Sequence, residues 1–398
     1  MVTTGRKQAL IGASAVVWVY GSLIFGLLGI LSPIWLEMFQ ITKASVGLLM
    51  TIALFSMGAF NYKAGRLADE RGTRFTISIG MVLAAAALVG FSLASNVYML
   101  YGSGIILGIS GSLVYGPGLT CVQKWWPEKS GLVSGVYNLC FGLSAALMIP
   151  LYRFFLGGSG YRAALWIISG IVLAFGLAAS IFADSPKRGG GLGETVKLPG
   201  YTVGQATADR SFKMLWLIWG LAGTAGIGLV MHIIPLMEVN GFTAEQGSKL
   251  LIFFNVFNGV IRIVVGPMLD KADGRLFMCI PFLLGGTACC MLTLIRSFAL
   301  AALCLCLIGM TTGIVFTVTP VMLRKYFGLR NFGAIFGLIF TSYCFFSALF
   351  GPFLGGFASD MSGSYTITTI YFGLFLIIAA VLAVLLKRPE ADKTHQER

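Results

Sequence analysis

Twelve runs of about twenty predominantly apolar residues recur along this chain, and they restrict its fold more than any other feature. They fall near residues 9–36, 45–64, 76–94, 98–122, 131–152, 163–183, 214–237, 247–268, 277–295, 299–322, 332–357 and 366–386. Coiled as an α-helix, twenty residues rise about 30 Å, the thickness of a bilayer's hydrocarbon core. Nothing in that layer hydrates a backbone N–H or C=O, so each run is expected to be helical throughout. At 398 residues, 57% hydrophobic and 11% charged, the chain has no stretch left for a sizeable soluble domain. The prediction is an all-α membrane protein with twelve transmembrane helices.

The net charge of +13 raises the question of nucleic acid. The basic residues are scattered over short connections rather than gathered in a domain, and they alternate as the positive-inside rule requires, so no nucleic-acid partner is expected. Lys43, Arg153, Arg162, Lys249 and Arg296 occupy one set of helix ends. Arg262 apart, every other Lys and Arg lies with the opposite set, to which both termini belong. Both termini are therefore assigned to the cytoplasm, and the protein to the cell (inner) membrane as a multi-pass monomer. The first run follows Arg6 and Lys7 directly and is far longer than a signal-peptide core, so no cleaved leader is expected. Cys121, Cys140, Cys279, Cys289, Cys290, Cys304, Cys306 and Cys344 lie in or beside apolar runs without paired CxxC ligands. That pattern reads as helix packing, with neither a disulfide framework nor a metal site, and no cofactor is expected.

Residues 185–212 are polar and glycine-rich and read as a cytoplasmic linker between an N-terminal six-helix bundle, 1–184, and a C-terminal one, 213–398. The halves repeat at an offset of about 201 residues. Gly65-Arg66-Leu-Ala-Asp69-Glu-Arg-Gly72-Thr-Arg74 follows the second run, and Gly266-Pro-Met-Leu-Asp270-Lys-Ala-Asp-Gly274-Arg275 the eighth. Lys124-Trp-Trp-Pro-Glu-Lys-Ser-Gly131 joins the fourth and fifth runs, and Lys325-Tyr-Phe-Gly-Leu-Arg-Asn-Phe-Gly333 the tenth and eleventh. A doubled six-helix unit points to a pseudo-twofold transporter with its site between the halves. In the repeated loop Gly65 permits close helix contact, and Asp69 is placed to accept from backbone N–H groups at a helix start. Arg66 or Arg74 can pair across a cytoplasmic gate, and Gly72, Asp270 and Arg275 complete the expected gating set.

The Gly65–Arg74 segment closely resembles the loop 2–3 signature of the major facilitator superfamily, and the resemblance covers essentially the whole chain. It implies two pseudo-symmetric six-helix bundles around a central site.

One charge breaks the apolar pattern. Arg262 lies within the eighth run, about 20 Å along a helix from Lys249 and about 12 Å from Asp270. An arginine at the bilayer centre costs about 2.5–3.5 kcal/mol on insertion scales, so such residues usually face a bundle interior or a water-filled cavity. On a 3.6-residue helix Asn255, Asn258, Gly259, Arg262 and Gly266 share one face, with Ile252, Val256, Val260, Ile261, Ile263 and Val264 covering the rest. All fifteen Asp and Glu residues fall in loops or near helix ends, leaving Arg262 without a buried carboxylate partner. One unpaired cation in a cavity suits an anionic substrate, and the guanidinium fork matches a carboxylate through two parallel hydrogen bonds.

Three stretches carry a closer resemblance. Asn258-Gly-Val-Ile-Arg262, Tyr115-Gly-Pro117 and Lys124-Trp-Trp-Pro127-Glu-Lys129-Ser-Gly131-Leu-Val-Ser-Gly135 look like the oxalate/formate antiporter branch and its relatives among bacterial monocarboxylate carriers. The resemblance implies that Arg262 binds the substrate carboxylate. It also implies a lysine in the eleventh run, where this chain aligns Tyr343, so a monocarboxylate such as lactate, pyruvate or formate fits better than the dianion oxalate. Animal monocarboxylate carriers have an aspartate four residues before the arginine, where this chain has Asn258, and a proton relay of that kind is not expected. Tyr115 and Asn138 read either as site-lining donors or as inter-helix hydrogen bonds, and Tyr343 as a lining residue. His232, near the outer end of the seventh run, reads as a proton-linked group or as an interfacial histidine bonded to a neighbour.

The resulting expectation is secondary transport of a small organic anion by alternating access, as proton symport or anion exchange. The bilayer, the anion and protons are its partners. A carrier of another anion (oxalate, a sulfonate, phosphate or an aromatic acid) and a non-transporting sensor on a carrier fold are the competing readings. An enzyme is not expected, because no nucleophile–base set or metal cluster appears in the runs.

Overall fold

The computed structural model describes residues 2–41, 43–186 and 200–389, and among them the only β-pairing outside helices is an isolated bridge between Gly200 and Gly328. Helix α1 spans 2–39 as Val2–Gly21 and Leu28–Phe39 joined by a π-helical turn, Ser22–Leu27. Then come α2 (Lys43–Arg71), α3 (Thr73–Leu93) and α4 (Val97–Trp125). The next helical run, Ser130–Phe182, would be about 80 Å long if straight, far more than a bilayer. Gly160, at φ 74° and ψ 170°, breaks it into α5 (130–159) and α6 (161–182). An L-residue with a side chain rarely adopts that backbone conformation.

The second series is α7 (Arg210–Val239), α8 (Ala244–Lys271), α9 (Gly274–Met291), α10 (Phe298–Phe327), α11 (332–362) and α12 (Thr366–Leu385). Helix α11 is interrupted by two π-helical turns, Ser342–Ser347 and Leu349–Phe353, the second containing Pro352. Eleven described helices are long and apolar enough to cross a membrane, and division of the α5–α6 run at Gly160 makes twelve passes. The expected all-α, twelve-helix architecture is what the chain adopts. Its outer surface carries large apolar side chains, among them Phe154, Trp166, Ile252, Leu294 and Val384, as a protein solvated by lipid requires.

Helix starts follow local sequence. Asn96 caps α4 by accepting from Met99 N–H, and Thr243 and Gln246 form a reciprocal capping box at α8. Of the expected linker, 187–199 lie outside the described residues. Beyond them Val203–Ala208 forms a short helix with its own capping box, and the Tyr201 N–H donates to the Phe327 carbonyl at the end of α10.

Helices α1 to α6 pack mainly on one another, as do α7 to α12. The largest contacts between the two groups are α2 against α11 and α5 against α8. Both crossings occur at glycines. A methyl on Gly65 would overlap the Gly333 carbonyl, and one on Gly131 would overlap the Gly266 carbonyl. The two contacts are equivalent under the internal repeat, and they bring together the segments that the sequence duplicates.

Candidate functional site

Arg262 is 4% exposed, on the face of α8 that meets α5 and α10. Its Nη1 donates to the Asn138 carbonyl of α5 at 2.8 Å and its Nη2 to Asn258 Oδ1 at 2.9 Å. Its Nε donates to the Asn258 carbonyl, one turn back, at 3.2 Å. The guanidinium carbon lies 5.2 Å from the ring centroid of Phe316 on α10. Hydrogen bonds to a charged group contribute about 1.5–3 kcal/mol each, and a desolvated cation–π contact adds about 2 kcal/mol. Together they exceed the insertion cost of the arginine. All the partners are neutral, so the positive charge is solvated by protein but not cancelled.

Asn138 ties this arginine to three other helices. It is fully buried; its Oδ1 accepts from the Tyr115 hydroxyl of α4 at 2.7 Å, and its Nδ2 donates to the Ser134 carbonyl at 2.9 Å and the Phe316 carbonyl at 3.1 Å. The Tyr115 ring packs 4.9 Å from both Phe141 and Phe340. Tyr343 lies 5.1 Å from Phe316 and 5.5 Å from Phe340, so Tyr343 and Arg262 touch the same ring. Arg262, Asn258, Asn138, Tyr115 and Tyr343 thus form one cluster of polar groups inside an aromatic shell.

Two sequence candidates stand apart from it. Asn255 shares a helical face with Arg262 but lies two turns, about 10 Å, further along α8. It is exposed, and its amide donates to the Leu251 carbonyl of its own helix at 3.0 Å. His232 lies in α7 with Nε2 3.1 Å from the Pro352 carbonyl and its ring 5.6 Å from that of Tyr365. His232 is thus bonded to α11 and stands away from the cluster. Phe316, Phe340 and Trp219, whose ring lies 5.5 Å from Phe316, complete the shell. A phenylalanine in an apolar helix carries no signal in the sequence, so these were not foreseeable singly.

The duplicated loops form a second constellation at the face where α2 and α8 end. Asp69 Oδ2 accepts the Ala334 N–H of α11 at 3.1 Å, and Asp270 accepts the N–H groups of Gly131 and Leu132 of α5 at 2.7 and 3.3 Å. Each aspartate therefore caps the first turn of a helix in the other half. Asp69 also pairs with Lys124 at 3.0 Å, whereas the equivalent Lys325 donates to the Leu269 and Ala272 carbonyls at 2.6 and 3.1 Å. The expected arginine pairing across the gate is not found. Arg66 pairs at 2.6 Å with Glu70 in its own helix, four residues on, where the helical repeat already supplies a partner. Arg74 is exposed, and Arg275 pairs with Asp273 and donates to the Leu386 carbonyl at 3.0 Å. Gly72, at φ 93°, makes the turn between α2 and α3.

Among the described residues no three His, Cys, Asp or Glu side chains gather as a metal site, and the eight cysteines are free.

A model of the Major Facilitator Superfamily matches residues 13–350. The chain is 24% identical over 234 residues to an oxalate:formate antiporter of Oxalobacter formigenes, covering 58% of this chain and 56% of that protein. It is 23% identical over 383 residues to monocarboxylate transporter 13 of Bos taurus, covering 92% and 86%. The crystal structure of the E. coli fucose:proton symporter superposes with a TM-score of 0.74 at 14% identity, covering 96% of this chain and 99% of that one.

Proposed function

The chain belongs to the major facilitator superfamily and is a multi-pass membrane transporter, and we propose that its cargo is a small organic anion, most simply a monocarboxylate such as lactate, pyruvate or formate. The observation that carries this reading is Arg262: a buried guanidinium with three neutral hydrogen-bond acceptors and no ion pair among the described residues. A carboxylate supplies the missing charge. Relatives named as monocarboxylate and oxalate:formate carriers support the same cargo class.

The chemistry follows from which contact the substrate must replace. Two of the three hydrogen bonds of Arg262 go to Asn258, within α8, and hold the fork in place. The third, to the Asn138 carbonyl, joins α8 to α5 across the two halves. A carboxylate that takes Nη1 releases that inter-half contact, and the Tyr115 hydroxyl meets its second oxygen by giving up its bond to Asn138 Oδ1. Substrate binding thereby acts on the interface whose rocking exposes the site to either side. The basic face, with both termini, is cytoplasmic on this reading, and the membrane is the inner one. Flux runs by proton symport or anion exchange.

Counterflow of labelled lactate, formate and oxalate in proteoliposomes at two pH values tests the proposal. Exchange of lactate or formate that exceeds oxalate supports it, and a pH-independent rate assigns exchange rather than symport. Binding without counterflow of any of the three, or preference for oxalate, sinks it.

A further inference from the structure

A second group of cations lies about three turns of α8 beyond Arg262, at the face where Asp69 and Asp270 cap their partner helices. Here a cavity of about 600 Å³ opens between the α8–α9 connection, the end of α10 and the segment after α12. Its charged and polar lining is Asp273, Arg275, Arg324, Lys325, Tyr326 and Arg388. Four cations face one carboxylate.

Helix capping accounts for half of them. Lys325 is engaged by the last carbonyls of α8, and Arg275 by Asp273 and the Leu386 carbonyl. Arg324 and Arg388 remain. Neither makes a hydrogen bond or an ion pair among the described residues, and the Arg324 Nε is buried with no acceptor. Asp270 and Glu128 are near enough to act on Arg324 electrostatically, but neither forms an ion pair with it. A buried donor left without an acceptor costs about 1–3 kcal/mol, more when charged. Positive-inside placement explains why cations sit at this face, but not why the buried Arg324 Nε, beside the exposed Arg388, faces the cavity without an acceptor among the described residues.

We propose that this cavity binds a phosphate group. Phosphate carries its charge on several acceptor oxygens and matches guanidinium forks bidentately, and the Tyr326 hydroxyl adds a further donor. The cavity, about 600 Å³, has room for a phosphate with a glycerol or sugar attached. An anionic phospholipid headgroup offers this chemistry at the right depth, because the cavity lies at the membrane-surface ends of α10 and α12. A soluble phosphate offers it from the aqueous side. The site is separate from the transport cluster and does not depend on which anion is carried.

The test uses the full chain in two arms. In the first, protein reconstituted in phosphatidylcholine mixed with phosphatidylglycerol is delipidated, and the retained lipid is identified by native mass spectrometry. In the second, inorganic phosphate is titrated against thermal unfolding in neutral detergent. Retention of phosphatidylglycerol assigns the lipid source, and stabilisation by phosphate assigns the soluble one. In the responding arm, Arg324→Gln with Arg388→Gln is expected to weaken binding at least about tenfold, and exposed Arg388→Gln alone about threefold, without lowering the anion-free melting temperature. The proposal is overturned if neither anion registers, if the double variant responds as the parent does, or if Arg262→Ala abolishes the response instead.

Discussion

The carboxylate of Asp270 accepts the backbone N–H of Gly131 at 2.7 Å, so the end of α8 in one half closes on the start of α5 in the other. Asp69 repeats the contact on Ala334 at the pseudo-equivalent place. A charge-assisted bond of this kind contributes about 1.5–3 kcal/mol. Asp270→Ala is expected to shift the carrier toward the state open at this face. Ser130, which is fully buried beside the contact, reports it. In a background without the native cysteines, Ser130→Cys should react with a soluble maleimide roughly tenfold faster once Asp270 is removed. Equal rates would show that the bond does not hold the gate.

Removal of Asp69 should cost more than removal of Asp270, because the two loops are not equivalent in charge. Asp69 and Lys124 are 9% and 11% exposed, whereas Lys325 leans on carbonyls and leaves Asp270 without a lysine partner. Breaking a buried pair from one side costs about 3–5 kcal/mol, since the other charge is stranded. Thermal unfolding should therefore fall further for Asp69→Ala than for Asp270→Ala. Adding Lys124→Met to Asp69→Ala should recover part of the loss. Equal melting points for the two aspartate variants would contradict the asymmetry.

The passes, the repeat and Arg262 were legible because each breaks or makes a pattern within a few turns of helix. Apolar runs report the membrane, duplicated glycine and aspartate spacings report the symmetry, and a charge amid Ile and Val reports a buried polar cluster. Partners brought together by packing were not legible. Nothing near Asp69 in sequence names Lys124, 55 residues on, or Ala334 in the other half. Local reasoning also misled where a nearer partner existed. Arg66 looked free to cross the gate although Glu70, one turn on, was available to it. Asn255 satisfied the helical wheel yet lies too far along the axis to join the arginine's cluster, because a wheel records direction and discards height.

For Arg262 the prediction rests on geometry as well as charge. Arg262→Ala should lose carboxylate uptake by at least about tenfold, the equivalent of one hydrogen bond to a charged group. Lysine keeps the charge but presents a compact ammonium in place of a planar fork, so Arg262→Lys should recover only part of the flux. Size-exclusion profiles and melting curves like those of the parent separate lost binding from lost folding. Unchanged uptake in both variants would show that Arg262 does not bind the carried anion.

Tyr343 gives a specificity test. It touches the Phe316 ring that also carries the Arg262 guanidinium, so a cation at this position would create a second positive charge in the same shell. Tyr343→Lys should improve competition by oxalate relative to lactate by at least about tenfold, since a dianion can then pair both charges while a monocarboxylate leaves one buried and unpaired. An unchanged oxalate-to-lactate ratio in a folded variant would place Tyr343 outside the substrate's reach.

Gly65→Ala separates closure from binding. The added methyl meets the Gly333 carbonyl of α11, a backbone group that cannot swing aside, so α2 and α11 must part before the basic face can seal. The strain falls on the same crossing that Asp69 caps through Ala334, and closure loses both contacts together. The Arg262 cluster is built instead from α4, α5, α8 and α10 with Tyr343 of α11, and none of its hydrogen bonds passes through Gly65. Carboxylate binding in detergent is therefore expected to stay within about twofold of the parent while counterflow falls at least about tenfold, the effect of some 1.4 kcal/mol against the closed state. Binding lost in step with transport would mean that the α2–α11 crossing shapes the site itself, and parental counterflow would mean that this crossing need not close during the cycle.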